Sequence, residues 1–515
     1  MQIRNPILPG FHPDPCALRV DGAWYVATST FEWYPGVEIH RSTDLVNWTL
    51  VARPLTEPLV DMSGVPNSGG VWAPCLTYDR GIWYLVYSIT RTFDETTQDT
   101  ENYVTWARDL QGPWAPRVRI HSGGFDASMF HAPDGTHWIV GMRWNSRVEQ
   151  DHFAGIWLQQ FDPDRPGLVG DAKRIFCGTS LGLTEGPYLY FINGWYYLMV
   201  AEGGTSTGHA VTVARSRYLD HGYEADPLGP MLTARDRPDW PIQYAGHGSL
   251  VQDEDGNWYL FHLGARKALF GGWSVMGRET FVQNVVWQEG WPRLQHGGHL
   301  PAETFEAPVD ASPRPQEPVT ITFPDPPLRF ASLRGPLQGS MSARPGWLRL
   351  YGQESMLSLH RQAMAGTQID RVPCVCETLL DFRPSHFLHA AGLSLWYHTA
   401  NYYAMLVTWD EELGRGLRLV ARDCRRTRLL HPMIPLPEGD IVLRMTLTPD
   451  HVAFAWAVNS AWHELPVADA PSHILSDEYA NRSGDQGFTG CFATLCCQDQ
   501  TGEGWPADFR YLTLT

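Results

Sequence analysis

The apolar residues of this chain fall in short runs bounded by glycine, proline, asparagine and aspartate, with no helical periodicity. Five of these runs look alike. DGAWYVATS, RGIWYLVYS, DGTHWIVGM, NGWYYLMVA and DGNWYLFHL each set a glycine turn just before an aromatic strand. The glycines are Gly22, Gly81, Gly135, Gly194 and Gly256, separated by 59, 54, 59 and 62 residues. Asp-Gly or Asn-Gly between apolar runs predicts a tight hairpin whose two turn residues both take positive φ. A later turn recurs in STDLVNW (42–48), ARDLQGPW (107–114) and SRYLDHGY (216–223). Repeated units of about 60 residues with several strands each predict the blades of a propeller. A stacked solenoid is the alternative, but its repeats are usually shorter.

The second half reads differently. Residues 306–328 are rich in proline and predict a linker. Beyond them, runs such as GWLRLYG, AGLSLWYH, YYAMLVTW, IVLRMTL and FRYLTLT have the length and spacing of a β-sandwich with about eight or more strands. The expected fold is therefore all-β, with a five-bladed β-propeller over 1–305, a linker over 306–328 and a β-sandwich over 329–515.

The phase of the repeat carries chemistry. Nine residues before Gly81, Gly135, Gly194 and Gly256 stand Trp72, Asp126, Glu185 and His247; eight before Gly22 stands Asp14. Each is followed by compact residues, as in Asp14-Pro15-Cys16 and Glu185-Gly186-Pro187. If this strand is the innermost of its blade, all five side chains converge on the central axis. Singly, each has a plainer reading: Asp14 as an Asx-turn residue, Asp126 as a turn cap, Glu185 as a solvated turn carboxylate, His247 and Trp72 as core. Five solvated or packing residues have no reason to share one offset from five hairpins. Glycoside hydrolysis needs two carboxyl groups across the scissile bond, one protonated and one ionised. A third carboxylate nearby helps to keep the first protonated. Asp14, Asp126 and Glu185 supply such a set.

Composition narrows the partners. The 22 Trp, 20 Tyr and 21 Phe give flat surface suited both to strands and to stacking against sugar rings. A formal net charge of -17 argues against nucleic acid and fits a neutral substrate. Nine scattered cysteines argue against a disulfide framework and for a reducing, cytoplasmic setting. No apolar stretch is long enough for a membrane span, and the start of the chain does not read as a signal peptide.

The stretches NPILPGFHPDPCALRV, NSGGVWAPCL, FDASMFH, LGLTEGPYLY, AEGGTSTGHAVTVARS, AGHGSLV and GRET resemble glycoside hydrolase family 43, in its two-domain β-xylosidase branch. GFTGCFATLCCQDQTG (487–502) is similar to that branch's second domain. The resemblance implies that Asp14 is the general base, Glu185 the general acid, and Asp126 the residue that tunes and orients the acid. It further implies that Arg278 contacts sugar hydroxyls, that Phe31 and Trp72 wall the pocket, and that His247 lies at its bottom. A sandwich loop near Phe488 would close the pocket and so confer exo action. The run GARKALFGGWSVM before Arg278 departs from the branch's pattern. The implied activity is inverting release of xylose from the non-reducing end of β-1,4-xylooligosaccharides, with α-L-arabinofuranosidase as a second activity or as the alternative. No cofactor is required, a calcium ion near His247 is an option the family leaves open, and homo-oligomers are expected. A retaining fructosidase fits less well, because Glu185 is followed by Gly186 rather than Cys. A non-catalytic sugar-binding propeller has no need of three converging carboxylates.

Overall fold

The computed structural model describes residues 1–94, 96–308 and 311–515. Five four-stranded antiparallel units follow one another in the first 294 residues, the fourth carrying one extra short strand. Their first strands are Cys16–Val20, Gly70–Asp79, Ser128–His131, Glu185–Ile192 and Gln243–Gln252. Each of these packs beside the first strand of the next unit, and the fifth packs back on the first, so the five form the inner ring of a propeller. The ring is tied at the chain ends of the domain. Gln2–Arg4 pairs with Thr304–Glu306, and Asn5 bonds the Val282 backbone through both ends of its amide.

The five repeated turns are not all alike. At Asp21-Gly22, Arg80-Gly81 and Asn193-Gly194 both residues have positive φ, which makes two-residue hairpins. In the third and fifth blades only Gly135 and Gly256 do, and the connections are longer. There a side chain shapes the loop instead. Asp134 accepts from the backbone N–H and hydroxyl of Thr136, and Asp253 accepts from the N–H groups of Asp255 and Asn257.

The C-terminal half is a two-layered β-sandwich. One sheet contains His389–His398, Asn401–Asp410 and Phe492–Asp499; the other contains Cys374–Asp381, Ile441–Leu447 and Val452–Val458. Alternation is plain in Ile441–Leu447, where every second residue is fully buried. The proline-rich stretch does not stay irregular throughout, as Val319–Thr322 is already a sandwich strand paired with Tyr511–Leu514.

The two halves share a sheet. Trp33–Tyr34, from the first blade, pairs with Ala331–Leu333 and forms the last strand of the eight-stranded sandwich sheet. Phe492 stacks on Trp33 with ring centroids 3.9 Å apart, and Phe11 meets it edge-on. A single buried cluster therefore runs from Phe11, Phe31 and Trp33 into Met364, Trp396 and Phe492.

Candidate active site

One end of the central ring opens into a cavity of about 260 Å³. Its lining includes Asp14, Phe31, Trp72, Asp126, Glu185, His247, Arg278 and Phe488, so the structure brings all eight sequence-derived residues to one place. Phe93, Thr97, Gln98, Phe125, Trp144, Thr205 and Gln486 complete it.

The backbone explains why five blades can aim side chains at one point. The backbone departs from regular strand geometry at each of the five positions or one residue after it. Asp14, Asp126 and His247 have φ of 54°, 54° and 44°, while Ala73 and Gly186, one residue after Trp72 and Glu185, have 33° and 55°. The pairing register slips at Trp72/Cys75, Glu185/Tyr188 and Gly246/Gly248. A bulge turns a side chain that would lie on a strand face toward the strand's end, here the cavity. Gly186 is required there, because a Cβ would sit 2.8 Å from the His247 ring.

The three carboxyls stand in different electrostatic surroundings. Asp14 is buried and doubly held: Ser29 donates to Oδ2 at 2.6 Å and Arg278 to Oδ1 at 3.1 Å. Burial alone would raise its pKa. The charge of Arg278, then His247 and the Ser29 hydrogen bond, outweigh burial and hold it below the ordinary carboxylate value. Glu185 has no such support. Burial, followed by the Asp14 charge, pushes it up to about 7, against the pull of Arg278. Asp126 is raised well above its ordinary value by burial, then by Glu185 and Asp14, although the Gly186 N–H donates to it at 3.2 Å. Glu185 and Asp126 thus form a proton-holding pair beside an ionised Asp14.

His209, which sequence reasoning did not single out, stands behind Glu185. Its Nδ1 faces the Tyr244 carbonyl at 3.3 Å and must carry the proton, since a carbonyl can only accept. Burial, then His247 and Arg278, lower its pKa to about 3, so the ring is neutral. Its Nε2 faces Glu185 Oε1 at 4.0 Å and has no hydrogen-bond partner. Thr205 is a second such residue, accepting from Arg278 at 2.9 Å.

The aromatic wall is a cage. Phe31 and Trp72 lie 5.9 Å apart by ring centroid, and Phe488 lies 6.3 and 6.1 Å from them. Phe31 is fixed by reciprocal backbone bonds with Val71, both at 3.0 Å. Phe488 comes from the sandwich. Its carbonyl accepts from Arg278 at 3.0 Å, and its N–H donates to Ser68 at 3.1 Å. Phe492 is not in the wall but in the domain interface.

The described protein oxygens near His247 do not by themselves make up a calcium coordination shell. The His247 Nε2 is free, but Asp14 is engaged by Arg278 and Ser29, and calcium takes six to eight oxygens. Among the described residues, the groups with metal-ligand spacing are His12, Glu38, His40 and Asp79, His131, His137, neither of which includes His247. The nine cysteines are all unpaired, and no helix is long and apolar enough to cross a membrane among the described residues.

Residues 3–292 match the model of glycosyl hydrolases family 43, and 322–515 match the β-xylosidase C-terminal concanavalin A-like domain. The chain belongs to glycoside hydrolase family 43. It is 39% identical to the β-xylosidase of Bacillus subtilis, over 99% of each chain. It is 40% identical to xylosidase/arabinosidase 43B of Humicola insolens, over 99% of this chain and 97% of that one. The crystal structure of xylan β-1,4-xylosidase from Bacillus halodurans superposes with a TM-score of 0.96 at 41% identity, over the whole of both chains. The cavity and its three carboxyls lie within the stretch that matches the family 43 model, apart from the part of its wall that the second matched domain contributes.

Proposed function

We propose that this enzyme is an exo-acting, inverting β-1,4-xylosidase that removes single xylose units from the non-reducing end of short xylooligosaccharides. The observation that carries the reading is the split of carboxyl pKa values across one small, aromatic-walled cavity: Asp14 lowered, Glu185 raised to about 7. A pocket of about 260 Å³ lies just below the usual range for small-molecule sites and suits one pentose ring rather than a chain.

Asp14, ionised, takes a proton from a water that attacks the anomeric carbon. Glu185, protonated, gives its proton to the departing glycosidic oxygen as that bond breaks. The new carbon–oxygen bond forms on the face opposite the leaving group, so the anomer inverts. Both carboxyls then exchange protons with solvent to restore the starting state. Asp126, joined to the acid's strand through the Gly186 N–H, shares with Glu185 the cost of ionising beside Asp14. Arg278 holds sugar hydroxyls while keeping Asp14 charged, and Phe31, Trp72 and Phe488 exclude water around the ring. These groups supply the base, the acid and the electrostatics, and the reaction calls for no cofactor.

Release of α-L-arabinofuranose is a second activity, supported by the similarity to an enzyme described as xylosidase/arabinosidase. Proton NMR of the first product from xylobiose tests the main reading. Initial appearance of α-xylose is expected. Initial β-xylose, or no hydrolysis of either aryl β-xyloside or aryl α-L-arabinofuranoside, would overturn it.

A further inference from the structure

A polar clasp between the two domains lies outside the cavity, on the fifth-blade insertion that leads into Arg278. At the centre of the clasp is Glu478, in the four-residue helix Asp477–Ala480 of the sandwich. One carboxylate oxygen accepts from Tyr244 Oη at 2.6 Å, Ser274 Oγ at 2.8 Å and Lys267 Nζ at 2.9 Å; the other accepts from the Ser274 N–H at 2.9 Å. All three partners are in the fifth blade, two of them in the insertion 266–277 between its second and third strands.

The clasp is continuous with the site on two sides. After Ser274 the insertion runs along a strap of the sandwich, residues 487–491: Val275 accepts from the Cys491 N–H at 2.9 Å, and Gly277 lies so close to Thr489 that a Cβ would be 2.2 Å from its carbonyl oxygen. The next residue is Arg278, which bonds Asp14, Thr205 and the Phe488 carbonyl. On the other side, Tyr244 donates its hydroxyl to Glu478 and accepts at its backbone carbonyl from His209, whose Nε2 faces Glu185. The strap itself is closed on the clasp. A Cβ at Gly487 would lie 2.3 Å from the Asp477 carbonyl oxygen, and Gly487 precedes Phe488.

We infer that Glu478, with Lys267, is a positioning residue of the sugar site: it fixes Arg278 against Asp14 and Phe488 over the pocket, so that the sandwich domain sets the binding strength and the ionisation of the general base. Lys267 is further seated over the Tyr244 ring at 4.7 Å, and both charges of the pair are largely shielded from solvent. The inference deepens the proposed glycosidase reading and rests on it for its kinetic consequences only.

The test uses the full-length enzyme with Glu478→Gln, Glu478→Ala, Lys267→Met and Lys267→Arg. Asn47→Ala serves as a control that loosens the linker, because Asn47 bonds Ser312 and Arg314 far from the clasp. Asp14 faces Arg278, His247, His209, Glu185 and Asp126, and of these the clasp directly holds the segment bearing Arg278. Loosened, Arg278 supports the ionised Asp14 less. The acidic limb of kcat/KM should rise by about half a pH unit or more. KM for an aryl β-xyloside should rise about tenfold with a smaller change in kcat. Glu478→Ala and Lys267→Met should show this most, Glu478→Gln in part, while Lys267→Arg and Asn47→Ala stay near wild type. Hydrogen exchange followed by mass spectrometry provides a readout free of substrate: 266–278 and 487–491 should both lose protection in Glu478→Ala. A lower Tm with unmoved limb, KM and exchange would overturn the inference, as would equal shifts in Asn47→Ala. If wild-type enzyme cleaves neither aryl glycoside, the proposed function fails, and the exchange result alone decides the clasp.

Discussion

At the scale of single residues, the chemistry depends on one charge difference. The proposed mechanism needs Asp14 ionised and Glu185 protonated, so activity should fall as pH rises through about 7, where Glu185 loses its proton. It also falls at low pH, but only below the ordinary carboxylate range, where Asp14 gains a proton. Removing the acid with Glu185→Ala should slow substrates with poor leaving groups by about 10²–10⁴-fold. Aryl glycosides with activated leaving groups should lose much less, and equal losses on both would assign Glu185 another role. Asp126→Asn leaves one carboxyl where two compete to stay neutral, so the basic limb should move to lower pH. A fixed limb would mean that Asp126 keeps its proton throughout and acts through Gly186. The positions of the carboxyls were legible in the chain because each stands eight or nine residues before a glycine turn. His209 and Thr205 were not, because they come from a second-to-third strand connection and share no phase with the hairpins.

At the scale of elements, the repeat specified the strands and their order but not the bend that makes the site. The left-handed backbone at Asp14, Asp126 and His247 has no glycine to announce it. Only in the fourth blade does the sequence mark the kink, with Gly186. Gly186→Ala is therefore a sharp probe. Its φ of 55° is costly for alanine, about 1–3 kcal/mol for such strain, and its Cβ would press on His247. We expect a lower Tm and a fall in kcat/KM larger than the loss of stability accounts for, since His247 lies 3.8 Å from Asp14. Wild-type activity in a folded Gly186→Ala enzyme would show that the ring tolerates a displaced His247. The two five-residue turns also escaped the sequence pattern, because Asp-Gly reads the same whether both residues take positive φ or the glycine alone does.

At the scale of the whole molecule, the second domain is part of the first domain's site. Gln486 and Phe488 line the cavity, and Arg278 bonds the Phe488 carbonyl. A chain cut near Pro315 should lose hydrolysis of xylobiose even if the propeller remains folded, as judged by near-ultraviolet circular dichroism. Full activity in such a fragment would make the sandwich a passenger. The sequence indicated a loop near Phe488 only through its resemblance to a family; nothing in its own pattern marked Trp33–Tyr34 as a strand of the distant sheet, since two residues are too few to carry a periodicity. That shared sheet also bears on the protein's birth. Trp33–Tyr34 leaves the ribosome early, yet its partner Ala331–Leu333 follows about 300 residues later, on the order of 15–60 s of synthesis at ordinary rates. Phe492, which covers Trp33, comes later still. For that interval the nascent propeller carries Trp33–Tyr34 unpaired and its tryptophan uncovered, the kind of surface on which unfinished chains adhere to one another.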